Sequence, residues 1–145
     1  MPVDSPVEGL RLSTDFDGSG GICRYIKASY APYAAISASY GPSLEMAKFL
    51  GSVSLIVSLD GDVAWIDELG VIPEKRCQGI GTRVLKEFLR MLRNRGVRVA
   101  LLMATPERAE WMPDLLRFYE RAGFILVSPD PVSESAPILY KELTA

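Results

Sequence analysis

The apolar positions of this chain change period several times, and each change marks an element. In "GTRVLKEFLRMLRNR" (81–95), Val84, Leu85, Phe88, Leu89 and Leu92 recur at i, i+1, i+4, i+5 and i+8, one continuous helical face. Arg83, Lys86, Glu87, Arg90 and Arg93 take the other side, with Arg83 and Glu87 spaced to pair at i,i+4. Gly96 stands where a left-handed C-terminal cap is wanted. "VRVALLMA" (97–104) follows as an almost wholly apolar strand, closed by Pro106. A second helix starts at Pro113, a residue suited to the first helical position, with Asp114 in the first turn, and stops at Gly123. "FILVSP" and "PILYKEL" supply two final strands.

Ahead of the long helix, "SVSLIVSL" and "VAWIDELGV" flank Asp60-Gly61-Asp62 as a predicted hairpin, and Pro73 ends its second arm. Residues 1–50 are less regular. They suggest a strand in "EGLRLSTDF", a loop at "DGSGG" (17–21), a strand over 33–40 and a short helix between Pro42 and Gly51. The order β-β-α-β-α-β-β implies an α/β (α+β) domain, 1–145, with helices packed on a mixed sheet.

Composition narrows the chemistry. The 145 residues contain no histidine, which removes Ser-His-Asp and Cys-His pairs and argues against catalytic zinc. Proton transfer must then fall to a carboxylate, tyrosine, lysine, cysteine or water. Cys23 and Cys77 form no metal-ligand pattern, so no metal is expected and a reducing cytoplasm is the default setting. No apolar run reaches the roughly 18 residues of a membrane span, and no basic-then-apolar leader opens the chain. The formal net charge of −2 is unevenly spread. Residues 1–73 hold four basic and nine acidic side chains, whereas 74–121 hold eleven and six. The middle of the chain thus suits a polyanionic ligand and the first half a cationic one.

The stretch "VIPEKRCQGIGTRVL" (71–85) joins a strand to the long helix through Gly79 and Gly81. A helix start offers unpaired N–H groups and partial positive charge, and glycine lets an anion approach closely, so a pyrophosphate fits here. The spacing is neither G-x-x-x-x-G-K-[ST] nor G-x-G-x-x-G. It is Arg76-x-x-Gly79-x-Gly81, followed at a distance by Tyr119-x-x-x-Gly123-Phe124 within "FYERAGF". Together these resemble the Q/R-x-x-G-x-G/A loop and the later Tyr-x-x-x-Gly-Phe helix of the GNAT superfamily of N-acetyltransferases. The resemblance covers residues 63–143; residues 1–50 do not show the family's first strand and two-helix unit.

That resemblance implies a fourth and a fifth strand that splay apart, with acetyl-CoA as donor substrate in the gap. It places the pantetheine arm along Leu69, Gly70 and Val71, and the pyrophosphate on the loop Arg76, Cys77, Gln78, Gly79, Ile80, Gly81 and Thr82. Tyr119 matches the tyrosine that protonates the leaving thiolate, with a core tyrosine as the alternative. Asp67 and Glu68 lie where the family often carries an acid, and Glu68 is the candidate base, with ordered water as the alternative. Strand alternation would send only one of the two into the cleft, unless a bulge intervenes. Cys77 reads as a spacer. The family's asparagine seven residues before the tyrosine is replaced by Met112. The expected partners are acetyl-CoA and an amine acceptor, with a homodimer common in the family. A membrane is not expected, nor is nucleic acid, because the basic helix is interrupted by Glu87. A catalytically idle acyl-CoA-binding module on the same fold is the rival reading.

Overall fold

The computed structural model describes residues 11–19, 23–50, 61–71, 79–126 and 137–143. Within them lie β1 (Ser13–Ser19), β2 (Arg24–Tyr30), β3 (Ala34–Pro42), α1 (Ser43–Leu50), β4 (Asp62–Val71) and α2 (Ile80–Asn94). β5 (Val97–Met103), α3 (Met112–Arg121), β6 (Ile125–Leu126) and β7 (Ile138–Glu142) complete the order. The strands form one sheet, β1-β2-β3-β4-β5-β7-β6. β4 and β5 pair in parallel and the other neighbours antiparallel, so α2 serves as the crossover that a parallel pair requires.

Alternation on the central strands sets the layers. Ala64, Ile66, Ala100 and Leu102 join Val84, Leu85, Phe88, Leu89 and Tyr119 in the main core, under α2 and α3. Val63, Val99 and Leu101 turn the other way and pack with Met46 of α1. Helices therefore cover both faces of a mixed sheet, as expected. α2 buries Ile80, Val84, Leu85, Phe88, Leu89 and Leu92. At about 1.5–3 kcal/mol for each large apolar side chain withdrawn from water, this face ties the helix to the sheet. Gly96 and Gly123 close the two long helices at φ +91° and +98°, left-handed positions that cost other residues energy. No described helix is long and apolar enough to cross a membrane.

Several expectations need correction. Glu87 pairs with Arg90 at 3.8 Å, an i,i+3 contact, rather than with Arg83. The first strand is shifted: it runs through Asp17-Gly18-Ser19, which composition alone assigns to a loop. Tertiary contacts override the loop preference there. Asp17 accepts hydrogen bonds from Tyr40 (3.0 Å) and Arg95 (2.7 Å), fixing β1 against β3 and the end of α2. A second strand, β2, precedes the one expected at 33–40, and the two join through a turn at Pro32 where Tyr33 N–H donates to the Tyr30 carbonyl. The predicted first hairpin arm, 52–59, lies outside the described residues; over 62–66, β3 and β5 occupy both edges of β4. β1, β2 and β3 follow one another in the chain as antiparallel neighbours, a β-meander.

Candidate active site

β4 and β5 run side by side from Asp62 to Ile66 and then part. Beyond Ile66, β4 stays paired with β3 alone among the described strands, while β5 continues beside β7. The resulting gap opens into a cleft of about 650 Å³. Leu69, Gly70 and Val71 form one wall, Gly79, Gly81 and Thr82 one end, and Phe118 and Tyr119 of α3 the opposite side.

The end wall is the start of α2. Its first intrahelical bond runs from Arg83 N–H to the Gly79 carbonyl at 3.1 Å, which leaves the N–H groups of residues 79–82 without helical partners. Among the described residues no side chain caps this end, and no acidic residue occupies the first turn. Its partial positive charge is thus offered to an outside anion. Gly79 takes φ +80°, a left-handed position. Gly81 is helical, and a Cβ there would rest 3.5 Å from Phe118 and 3.6 Å from Val71, ordinary contact distances. The two glycines are therefore not equivalent. Gly79→Ala is expected to destabilise the fold by about 1–2 kcal/mol, whereas Gly81→Ala should be neutral or stabilising by up to about 1 kcal/mol. Equal melting temperatures for the two variants would contradict this. Ile80 is buried in the core and does not line the cleft. Arg76, Cys77 and Gln78 lie outside the described residues.

Tyr119 is 9% exposed, and its ring packs edge-on against Phe118 and Phe124 at 5.1 and 5.8 Å between centroids. Burial raises its phenol above the ordinary value, so the side chain holds its proton through neutral pH. Trp111, 42% exposed, lines the same cleft beneath the Arg108 guanidinium.

A bulge in β4 decides where the acids point. Ala38 faces Ile66 and Ser37 faces Glu68, which leaves Asp67 as the extra residue. Both acids consequently lie on the sheet face away from α2. Asp67 accepts a 3.4 Å hydrogen bond from Ser39, and Glu68 stands opposite Ser37. Partial desolvation raises the Asp67 carboxyl above the usual range; the Glu68 charge adds to the rise and the Ser39 bond offsets part of it. Glu68 also lines a second cavity, a trough of about 460 Å³ floored by Ser29, Ala35 and Gly70, with Asp15 and Lys27 along its rim. Gly70 and Val71 belong to both cavities, so the trough and the cleft meet at the splayed half of β4. Asp15, Lys27 and Ser29 carry no local motif. Only the cross-sheet register, Lys27 to Ser37 to Glu68, brings them to the site.

Several solved structures share this architecture. The ribosomal-protein-S18-alanine N-acetyltransferase from Escherichia coli is 17% identical, with 88% of this chain and 73% of that chain covered at a TM-score of 0.57. NAA60 of Arabidopsis thaliana, solved in complex with acetyl-CoA, is 18% identical, with 85% and 77% covered at a TM-score of 0.57. The polyamine N-acetyltransferase of Drosophila melanogaster is 17% identical, with 84% and 75% covered at a TM-score of 0.56. At such identities the likeness is one of fold. No curated protein sequence matches the chain significantly. The model of the acetyltransferase (GNAT) family, however, matches residues 21–124, from just before β2 to the Phe124 that follows α3. With well over half its length so matched, the chain belongs to the acetyltransferase (GNAT) family.

Proposed function

We propose that the protein is an acetyl-CoA-dependent N-acetyltransferase that delivers the acetyl group to a primary amine by direct attack in a ternary complex. One observation carries the reading: Gly70 and Val71 form a wall common to a cleft with a cationic helix start and to a trough with carboxylates. Donor and acceptor can therefore meet at one strand without exchanging places. Within the same fold, the Drosophila enzyme forms N-acetylagmatine and the E. coli enzyme acts on an alanine of a ribosomal protein.

Bound acetyl-CoA supplies an acyl carbon joined to a thiol leaving group. The chain's own residues do the rest. N–H groups of residues 79–82 hold the pyrophosphate, with Arg76, Cys77 and Gln78 assigned to the same loop. The backbone of Leu69, Gly70 and Val71 lies along the arm and orients the carbonyl; an amide donor there also stabilises charge developing on its oxygen. Glu68, facing the trough, receives the acceptor's ammonium group and takes its proton, directly or through water. Asp67 beside it holds negative charge on the same face. As the new C–N bond forms and the C–S bond breaks, Tyr119 gives its phenolic proton to the sulfur and regains one, through water, from the nitrogen, which sheds its second proton as the amide forms. A neutral phenol suits this task because a departing thiolate is basic enough to take its hydrogen.

The test is release of free thiol from acetyl-CoA across a panel of primary amines, small and peptidic. Amine-dependent release is the expected result. Coenzyme A binding with no release for any amine would overturn the catalytic reading in favour of an idle acyl-CoA-binding module.

A further inference from the structure

The trough beside β4 differs at its two ends. Register sets its floor, where Gly70 lies opposite Ala35 and Ala35 opposite Ser29. One row along the strands, Glu68 lies opposite Ser37 and Ser37 opposite Lys27. A carboxylate and an ammonium thus stand on one sheet face with a single strand, β3, between theirs. Both side chains are exposed, and neither makes a hydrogen bond or ion pair with described residues. At the other end the turn between β2 and β3 contributes Ala31, Pro32 and Tyr33, the last with its ring 5.4 Å from that of Tyr30. That end is apolar.

The spacing of the two charges suits a zwitterion. Adjacent strands lie about 4.8 Å apart, which puts Glu68 and Lys27 roughly 10 Å from each other along the sheet. Two charge-assisted hydrogen bonds of about 2.8 Å each, with about 3 Å from the nitrogen to a carboxylate oxygen of one α-amino acid between them, cover most of that span. The flexible lysine stem takes up the rest. A diamine fits less well. Its second ammonium would need Asp15, the remaining acid of the trough, which sits in the β1 bulge next to Phe16, the residue opposite Lys27. Because β2 lies between β1 and β3, a chain reaching from Glu68 to Asp15 must cross Lys27, whose charge repels it.

We infer that the acceptor is an α-amino acid with an apolar side chain, its amine at Glu68, its carboxylate at Lys27 and its side chain along the Pro32–Tyr33 turn. This rests on the acetyltransferase reading above and names the acceptor class for it. Glu68 is two residues from Gly70, where trough and donor cleft meet, so the amine is the end that faces the thioester. The nitrogen joins the acetyl carbon as the C–S bond breaks, with the proton movements already described. The carboxylate stays ionised at Lys27 and takes no part in bond making.

Steady-state thiol release from acetyl-CoA tests this on the whole chain, comparing wild type with Lys27→Gln and Lys27→Arg. The acceptors are alanine, leucine, methionine and phenylalanine, each beside its carboxamide, together with aspartate and diaminobutane. For at least one of the four apolar amino acids, kcat/KM is expected to exceed that of its amide by about 10–100-fold, the order of a hydrogen bond between charged groups. Lys27→Gln should erase that advantage by slowing the acid and leaving the amide unchanged, whereas Lys27→Arg, which keeps the charge, should retain most of it. Unchanged amide turnover also reports that the variant is folded. Amides or diaminobutane turned over as fast as the acids, aspartate preferred to all four, or an advantage that survives Lys27→Gln would each overturn the inference and leave the acetyltransferase reading standing. Release confined to other amines would do the same. Release with no amine of any kind would overturn both.

Discussion

Replacing Tyr119 by phenylalanine should lower turnover by about 100-fold, the order attributed to a positioned general acid. Coenzyme A affinity should stay close to that of the wild type, because phenylalanine keeps the ring and its edge-on contacts with Phe118 and Phe124. The lost group is the hydroxyl, and the step it is proposed to serve is departure of the sulfur. A fall in kcat with little change in coenzyme A binding is the signature of an interaction used only in the transition state. Burial raises the phenol above its ordinary value, so the wild-type side chain stays protonated through pH 7–9 and the deficit should be constant across that range. Steady-state thiol release at several pH values, paired with coenzyme A titration, measures both quantities. Unchanged turnover would return Tyr119 to a purely packing role.

The largest effect on stability is expected at Phe88. Its side chain is completely buried, heads the large fully buried residues and lies in the α2 face of the main core. Truncation to alanine removes the ring and leaves a cavity between helix and sheet, at a cost of about 3–5 kcal/mol. For a chain of this length that corresponds to a fall in melting temperature of roughly 10 °C. α2 also carries at its start the turn proposed to hold the pyrophosphate, so loosened packing at Phe88 should weaken donor binding as well. A melting temperature within about 2 °C of wild type would show that α2 is not packed on the sheet as described.

Local patterns revealed the second half of the chain. The α2 periodicity and the closing glycines depend on residues close in sequence, and each points to the observed element. The first third resisted for a physical reason. In β2 the core-facing residues include Ile26 and Ala28, and in β3 Ala34, Ile36 and Ala38; alanine gives a weak strand signal, and sheet pairing rather than propensity decides the outcome. Asp17 looks like part of a loop until Tyr40 and Arg95, distant in sequence, are seen to hold it. At the candidate site, local spacing picked out Gly79, Gly81 and Tyr119, which the structure places along one cleft, whereas the trough was not legible. Asp15, Lys27 and Glu68 come together only through the register of four strands, and register is not written in any one of them.

The single extra residue in β4 has a wider consequence. It makes the strand two half-waves out of phase, each turning its apolar residues to the same core. Before it, Ala64 and Ile66 carry the even-numbered positions into the core; after it, Leu69 and Val71 do so from odd ones. A change of one residue in strand length would invert the second half, turning Gly70 inward and Leu69 outward, while leaving the first half untouched. The change of phase therefore falls within a single strand, at Asp67, between the half that β5 pairs and the half that lines the cleft.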